Sequence, residues 1–343
     1  MLQEVCLHSF PMSQFFSQEQ VPALRALQIY ECQIELHAMQ PILLQITNLD
    51  LRFDSRSSVD LDFHALLSYA PVLSQLTVYS DLGRTSSYMS RIQSDTRSRV
   101  LLSHLRRLHL EQSIFILDII TAPNLVHLHL EGYSLHSKVV DAFLRRSQCN
   151  IESLHLDIGY NSIASSIIEL WRQMPHSVTH LAISNVGRMI WVPFEERTTD
   201  GRFSMFPQLR HFELQDLELG GSERNRVPLS RAVSEIMRVV LKRCGARKTR
   251  VRGRTGYRRS KTPPVLRRVD ICCPLTRLQR RTLSVLSQCG ALDVCFSVSG
   301  RPARNADSDY DGDDSDSEEE DSSDDSDNEE DSSGGDDDDV VYI

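Results

Sequence analysis

A chain of 343 residues with 40% hydrophobic content can bury a continuous core. Its longest apolar run, near Ile114–Ile120, falls far short of the ~18 residues of a membrane span, and the N-terminus has no basic-then-apolar leader, so a soluble intracellular protein, cytoplasmic and/or nuclear, is expected. The net charge of −9 hides a division: Lys242–Arg268 holds 12 Lys and Arg and no acid, Asp307–Asp339 holds 20 Asp and Glu and no base, and the remainder is close to neutral.

The chain opens on the first of a series of like phrases, with apolar anchors at relative positions 1, 4 and 6. They are Leu2/Val5/Leu7, Leu24/Leu27/Ile29, Ile46/Leu49/Leu51, Leu73/Leu76/Val78 and Leu105/Leu108/Leu110. The series continues as Leu125/Leu128/Leu130, Ile151/Leu154/Leu156, Val178/Leu181/Ile183, Leu209/Phe212/Leu214 and Leu266/Val269/Ile271, with a degenerate eleventh at Leu292/Val294/Phe296. L-x-x-L-x-L is the strand half of a leucine-rich repeat. Nine of the ten spacings lie between 20 and 32 residues, enough for one strand and one return; the tenth is 57 and implies an insertion. Pro22, Pro71, Pro123, Pro207 and Pro264 precede first anchors, where proline stops a helix before the next strand. The predicted fold is an α/β leucine-rich-repeat solenoid over residues 1–298, a horseshoe with a parallel sheet on its concave face and helices or irregular returns on its convex face. The competing fold is an ordinary α/β domain, which seldom keeps one apolar phrase through so many units.

Between strands, apolar residues at three- and four-residue spacing predict helices over Leu61–Tyr69, Val139–Arg146, Ile163–Met174 and Leu229–Lys242. Thr276-Arg-Leu-Gln279 reads as a capping box opening a further helix to about Gln288. Trp171 and Met174 belong to the apolar face of their helix. Arg84–Arg99 and Val186–Met205 read as surface loops, the second carrying Trp191 as a candidate contact. Within the long spacing, Arg243–Pro264 has no apolar period and is expected to be a disordered basic loop. Its candidate binding residues, with the preceding Lys242, are Arg243, Arg247, Lys248, Arg250, Arg252, Arg254, Arg258, Arg259 and Lys261. Residues 299–343 are low-complexity Asp, Ser and Glu, expected to be disordered. The eight cysteines form no Cys-x-x-Cys pair and are expected to be reduced and mostly buried.

Period-2 alternation puts positions 3, 5 and 7 of each phrase on the concave face. Position 3 includes Arg107, His127, His180 and His211; position 5 includes His109, His129, His155 and Glu213; position 7 includes Glu111, Glu131 and Asp157. A histidine ladder therefore lies beside a carboxylate ladder, and this stripe is the expected protein contact. It could hold a divalent metal or respond to pH. The spacing suits a ladder of hydrogen bonds better than a converging shell, so no metal and no cofactor is expected. Catalysis has no candidate: G-x-S-x-G, G-x-x-x-x-G-K-[ST], H-E-x-x-H and G-x-G-x-x-G are all missing from the sequence.

The basic segment could contact phosphates or serve as a nuclear import signal, but Tyr257 is its one aromatic residue, so base stacking is not indicated. A tethered acidic tail competes with phosphates for that segment, which argues against nucleic acid as a partner and for masking of the loop by the tail. The same tail could take a basic protein.

The phrases Leu105-Arg-Arg-Leu-His-Leu110, Ala122-Pro-Asn-Leu-Val-His-Leu-His-Leu130, Pro71-Val-Leu-Ser-Gln-Leu-Thr-Val78 and Pro207-Gln-Leu-Arg-His-Phe-Glu-Leu214 resemble the repeat region of F-box leucine-rich proteins, in the variant of mushroom-forming fungi. The resemblance covers residues 1–298. It implies an adaptor that grips a substrate on its repeats and docks to a cullin ubiquitin ligase through an F-box. No Leu-Pro-x-Glu-x-Leu opening of an F-box occurs here, and residue 2 is already an anchor, so a missing N-terminal portion or a shortened relative is expected. The layout of repeats plus acidic tail is also similar to that of acidic leucine-rich nuclear phosphoproteins, which bind histones. Those usually carry Asn at the ninth repeat position, where this chain has Cys32, Asp54, Asp81, Ser113, Tyr133, Gly159, Val186, Leu217 and Pro274.

Overall fold

The computed structural model describes residues 3–8, 22–30, 36–53, 62–80, 99–132, 137–158, 164–184, 194–215, 229–251, 254–259, 265–272, 275, 277–288 and 292–296. The chain divides into two units, Met1–Ser299 and Gly300–Ile343. The second unit, with the expected acidic tail and its masking of the basic segment, lies outside the described residues, as do Trp191, Thr276, Arg252, Lys261 and nearly all of the loop expected at Arg84–Arg99.

Strands in chain order are β1 (Glu4–His8), β2 (Ala26–Tyr30), β3 (Asn48–Phe53), β4 (Gln75–Ser80), β5 (Val100–Leu101), β6 (Arg107–Glu111), β7 (Ile120–Thr121) and β8 (His127–Gly132). They continue as β9 (Ser153–Ile158), β10 (His180–Ser184), β11 (His211–Gln215), β12 (Ala246–Val251), β13 (Arg254–Arg259), β14 (Arg268–Cys272) and β15 (Asp293–Phe296). Eleven of them make one sheet in the order β1-β2-β3-β4-β6-β8-β9-β10-β11-β14-β15. Every pairing is parallel, and the register aligns anchor with anchor: Val5, Leu27, Leu49, Leu76, Leu108, Leu128, Leu154, Leu181, Phe212, Val269 and Val294 form one row. An α/β chain whose successive strands add to one parallel sheet, always at the same edge, is consistent with a solenoid.

The register has a simple cause. A slip of one residue would turn every aliphatic anchor to the solvent face. The anchors from Leu24 through Leu292 that face inward are at most 3% exposed, whereas Val5, Leu7 and Val294 in the end strands are only partly buried. Each buried aliphatic side chain contributes about 1.5–3 kcal/mol of transfer free energy, so neighbouring coils hold one another.

Backbone hydrogen bonds repeat the same joint from coil to coil. One carbonyl just before each strand accepts two N–H groups from the next coil: Arg25 takes Thr47 and Asn48, Thr47 takes Ser74 and Gln75, and Arg106 takes Val126 and His127. The prolines gain a second role here. Leu73 N–H donates to Ala70 O, Leu125 to Ala122 and Leu209 to Phe206, closing four-residue turns with Pro71, Pro123 and Pro207 at the second position. Proline presets the φ that this position needs.

Helices pack behind the sheet: α1 (Leu36–Leu43), α2 (Phe63–Ser68), α3 (Ile116–Ile119), α4 (Ser137–Ser147), α5 (Ala164–Gln173), α6 (Leu229–Arg243) and α7 (Arg277–Gln288). The four helices expected from periodicity, and the fifth expected from the capping box, are present within a few residues of their expected ends, and Trp171 and Met174 are buried. Among the described residues no helix is long and apolar enough to cross a membrane.

Three expectations need correction. The segment expected to be a disordered basic loop carries an antiparallel hairpin, β12 with β13, in register from Ala246↔Arg259 to Val251↔Arg254. Just two residues, the second Gly253, separate Val251 from Arg254. That is the length of a tight hairpin connection, and Thr249, Val251, Thr255 and Tyr257 supply β-favouring side chains among the charges. Second, Arg243 is no loop residue: it ends α6 and is 2% exposed, while Lys242 is exposed on the same helix and paired with Glu195. Third, burial of the cysteines is mixed: among the five described, Cys149 and Cys244 are buried, Cys272 is half-buried, and Cys6 and Cys295 are exposed.

Part of the loop expected on the surface is also an anchor. Phe194, Phe203, Met205 and Phe206 are at most 5% exposed. Arg243 holds them through its guanidinium, donating from Nε to Phe194 O (3.1 Å), from Nη1 to Phe206 O (3.0 Å) and from Nη2 to Met205 O (2.6 Å). Burial lowers this guanidinium to about 9, still protonated at neutral pH.

Candidate functional site on the open sheet face

Alternation within the strands leaves positions 3, 5 and 7 on the face opposite the helices. The register lays His109, His129 and His155 side by side, and Glu111, Glu131 and Asp157 beside them. It also joins His180 to His211, and Glu213 to Asp270. Arg107 and His127 are exposed members of the row along one edge of this stripe, as are Asn48 and Arg268. All eleven expected face residues thus lie on one surface. A shallow depression of about 200 Å³ runs across Thr77, Arg107, His109, His127, His129 and His155.

Spacing alone could not say how the histidines meet. They stack face to face rather than forming a hydrogen-bonded ladder. His109 and His129 have ring centroids 3.8 Å apart at 3°, and His129 and His155 are 3.8 Å apart at 6°. A second stack joins His180 and His211 at 4.1 Å. Neighbouring parallel strands are ~4.8 Å apart, so identical residues at one register position bring their rings close to contact distance.

The two stacks differ in their partners. His211 Nε2 lies 2.7 Å from Asp270, whose carboxylate also accepts from Arg268 Nε at 3.0 Å. His180 Nε2 faces Glu213 at 3.4 Å, and His155 Nε2 meets Ser184 Oγ at 2.9 Å. By contrast, His109 Nε2 and His129 Nε2 are buried atoms with no hydrogen-bond partner among the described residues.

Electrostatics follows burial. Desolvation, then the neighbouring His155 and His109, pushes His129 down to about 3. Desolvation, then Glu111 and Asp157, pushes Glu131 up to about 7. His129 Nε2 and Glu131 Oε2 are 3.8 Å apart, a separation that suits an ion pair. At neutral pH, however, the imidazole is neutral and the carboxyl is close to half-protonated, so the contact is not one. Burial likewise lowers His109, His155 and His180, and raises Glu111 against the opposing pull of Arg52. The centre of the stripe is therefore a neutral aromatic strip beside Glu131, whose carboxyl is close to half-protonated at neutral pH.

The basic candidates do not gather into this surface. Lys242 and the buried Arg243 end α6, and Arg247, Lys248, Arg250, Arg254, Arg258 and Arg259 lie on the hairpin. Compared with family models, curated proteins and solved structures, the chain matches none.

Proposed function

We propose that this chain is a non-enzymatic protein-binding scaffold of the leucine-rich-repeat type, gripping its partner on the open face of the sheet. The observation that carries the reading is the face itself: in-register rows of His, Arg and carboxyl side chains, stacked ring on ring, on a sheet whose other side is fixed by buried anchors. A rigid surface loses little freedom on binding, and stacked imidazoles give apolar area with polar edges, which suits a protein partner. The nearest functional analogy is substrate recognition by F-box leucine-rich proteins, with the contact stripe running through Arg107, His127, His129, His155 and Glu213. No cofactor, nucleic acid or membrane enters this reading, and its setting is the cytoplasm, the nucleus or both.

A second reading is favoured by the 20 acidic residues of Asp307–Asp339, which suit a basic, histone-like partner. Affinity capture with three forms of the chain separates the two. The first reading expects Arg107→Glu/His127→Glu to lose the partner set and deletion of 300–343 to keep it. Loss on tail deletion alone would favour the second reading, and a partner set unchanged by either alteration would defeat both.

A further inference from the structure

We propose that His109, His129 and Glu131 form a binding site for one divalent transition-metal ion of the zinc, cobalt and nickel class. The ligand atoms of these three residues, one from each, lie within 4.8 Å of one another. They sit on adjacent strands in strict register, so the backbone fixes their spacing. Two imidazoles and a carboxylate are the donor set that borderline divalent ions prefer, whereas calcium and magnesium favour all-oxygen shells.

The decisive feature is what the nitrogens lack. A buried polar atom normally finds a partner, and one left without carries the cost of its lost hydration uncompensated. His109 Nε2 and His129 Nε2 are both buried and both without a hydrogen-bond partner among the described residues. An ion between them would take both lone pairs. A second trio, His180, His211 and Glu213, meets the same distance limit. There each Nε2 already faces a carboxylate, at 3.4 Å in Glu213 and 2.7 Å in Asp270. Comparable spacing with partnered nitrogens makes that trio an internal control.

Geometry also says what binding must change. Two rings stacked at 3° point their lone pairs in parallel, so a single ion cannot lie in both ring planes. The rings must tilt until their Nε2 edges converge, which opens the His109–His129 stack. Both side chains stand on the open face, so the tilt does not disturb the anchors behind the sheet. Three protein ligands leave a fourth position towards solvent.

The test is titration of the full-length, reduced protein with Co²⁺ in excess Mg²⁺, which occupies the acidic tail. Uptake is read from the visible absorption of low-symmetry cobalt, and thiol ligation would show separately as a sulfur-to-metal charge-transfer band. The proposal expects one ion that His109→Ala/His129→Ala binds at least tenfold more weakly, about 1.4 kcal/mol. It expects His180→Ala/His211→Ala to bind as the parent does, and circular dichroism to show both variants folded. No cobalt uptake, or equal uptake by the parent and His109→Ala/His129→Ala, overturns it.

Discussion

Arg243→Ala is expected to destabilise the chain by about 3–5 kcal/mol, because three buried carbonyls lose charged donors at once. The guanidinium is 2% exposed, bonds to Phe194, Met205 and Phe206, and lies over the Phe203 ring at 4.3 Å. No neighbouring side chain can replace a planar fork that reaches three oxygens in different directions. Arg243→Lys keeps the charge but offers a compact ammonium, so it should recover less than half of the loss. Denaturant midpoints measure the effect, and amide exchange across 194–206 shows where it falls. A change below about 1 kcal/mol for Arg243→Ala, with protection of that segment intact, would mean the clamp is not holding it.

Trp171→Ala is expected to cost about 3–5 kcal/mol. Trp171 is 2% exposed and makes edge-to-face contacts with Phe194 at 5.2 Å and Phe206 at 5.7 Å. It thus joins α5 to the same segment that Arg243 holds from α6. Its indole nitrogen is buried without a hydrogen-bond partner among the described residues. Trp171→Phe removes that orphan donor while keeping most of the ring, so its cost should stay below about 1.5 kcal/mol. Both residues act on one segment, and a double-mutant cycle of Trp171→Ala with Arg243→Ala should show coupling above about 0.5 kcal/mol. Equal costs for the Phe and Ala variants would show that aromatic packing is not what matters at this position.

The strands were readable because their signal is one-dimensional. An aliphatic anchor at positions 4 and 6 of a phrase must face inward, and rows of such phrases can align in one register without exposing them. That logic placed Val5 through Val294 and, on the opposite face, all eleven expected site residues. It failed where side-chain chemistry depends on the neighbouring coil. Nothing in His109 or His129 distinguishes them from His211, yet Asp270, far away in sequence and itself held by Arg268, partners the nitrogen of His211, while those of His109 and His129 have no hydrogen-bond partner among the described residues. The buried segment was obscure for a similar reason: Phe194, Phe203 and Phe206 follow no helical or strand period, and Arg243 looks like one more charge in a basic run. In the hairpin, β-favouring Thr249, Val251 and Thr255 were hidden by a dense run of Arg and Lys.

The most direct measurement is a set of spin-label distances along the sheet, with exposed Cys6 and Cys295 changed to Ser. Labels at Asn48 and Ser153 sit four strand steps apart, and labels at Asn48 and Arg268 sit seven steps apart. At ~4.8 Å per step the backbone separations are about 19 Å and 34 Å, so the second pair must be clearly longer. Parallel strands added one at a time, in chain order, predict that increase. Equal distances, or a shorter one for Asn48 and Arg268, would contradict the single sheet on which the whole account stands.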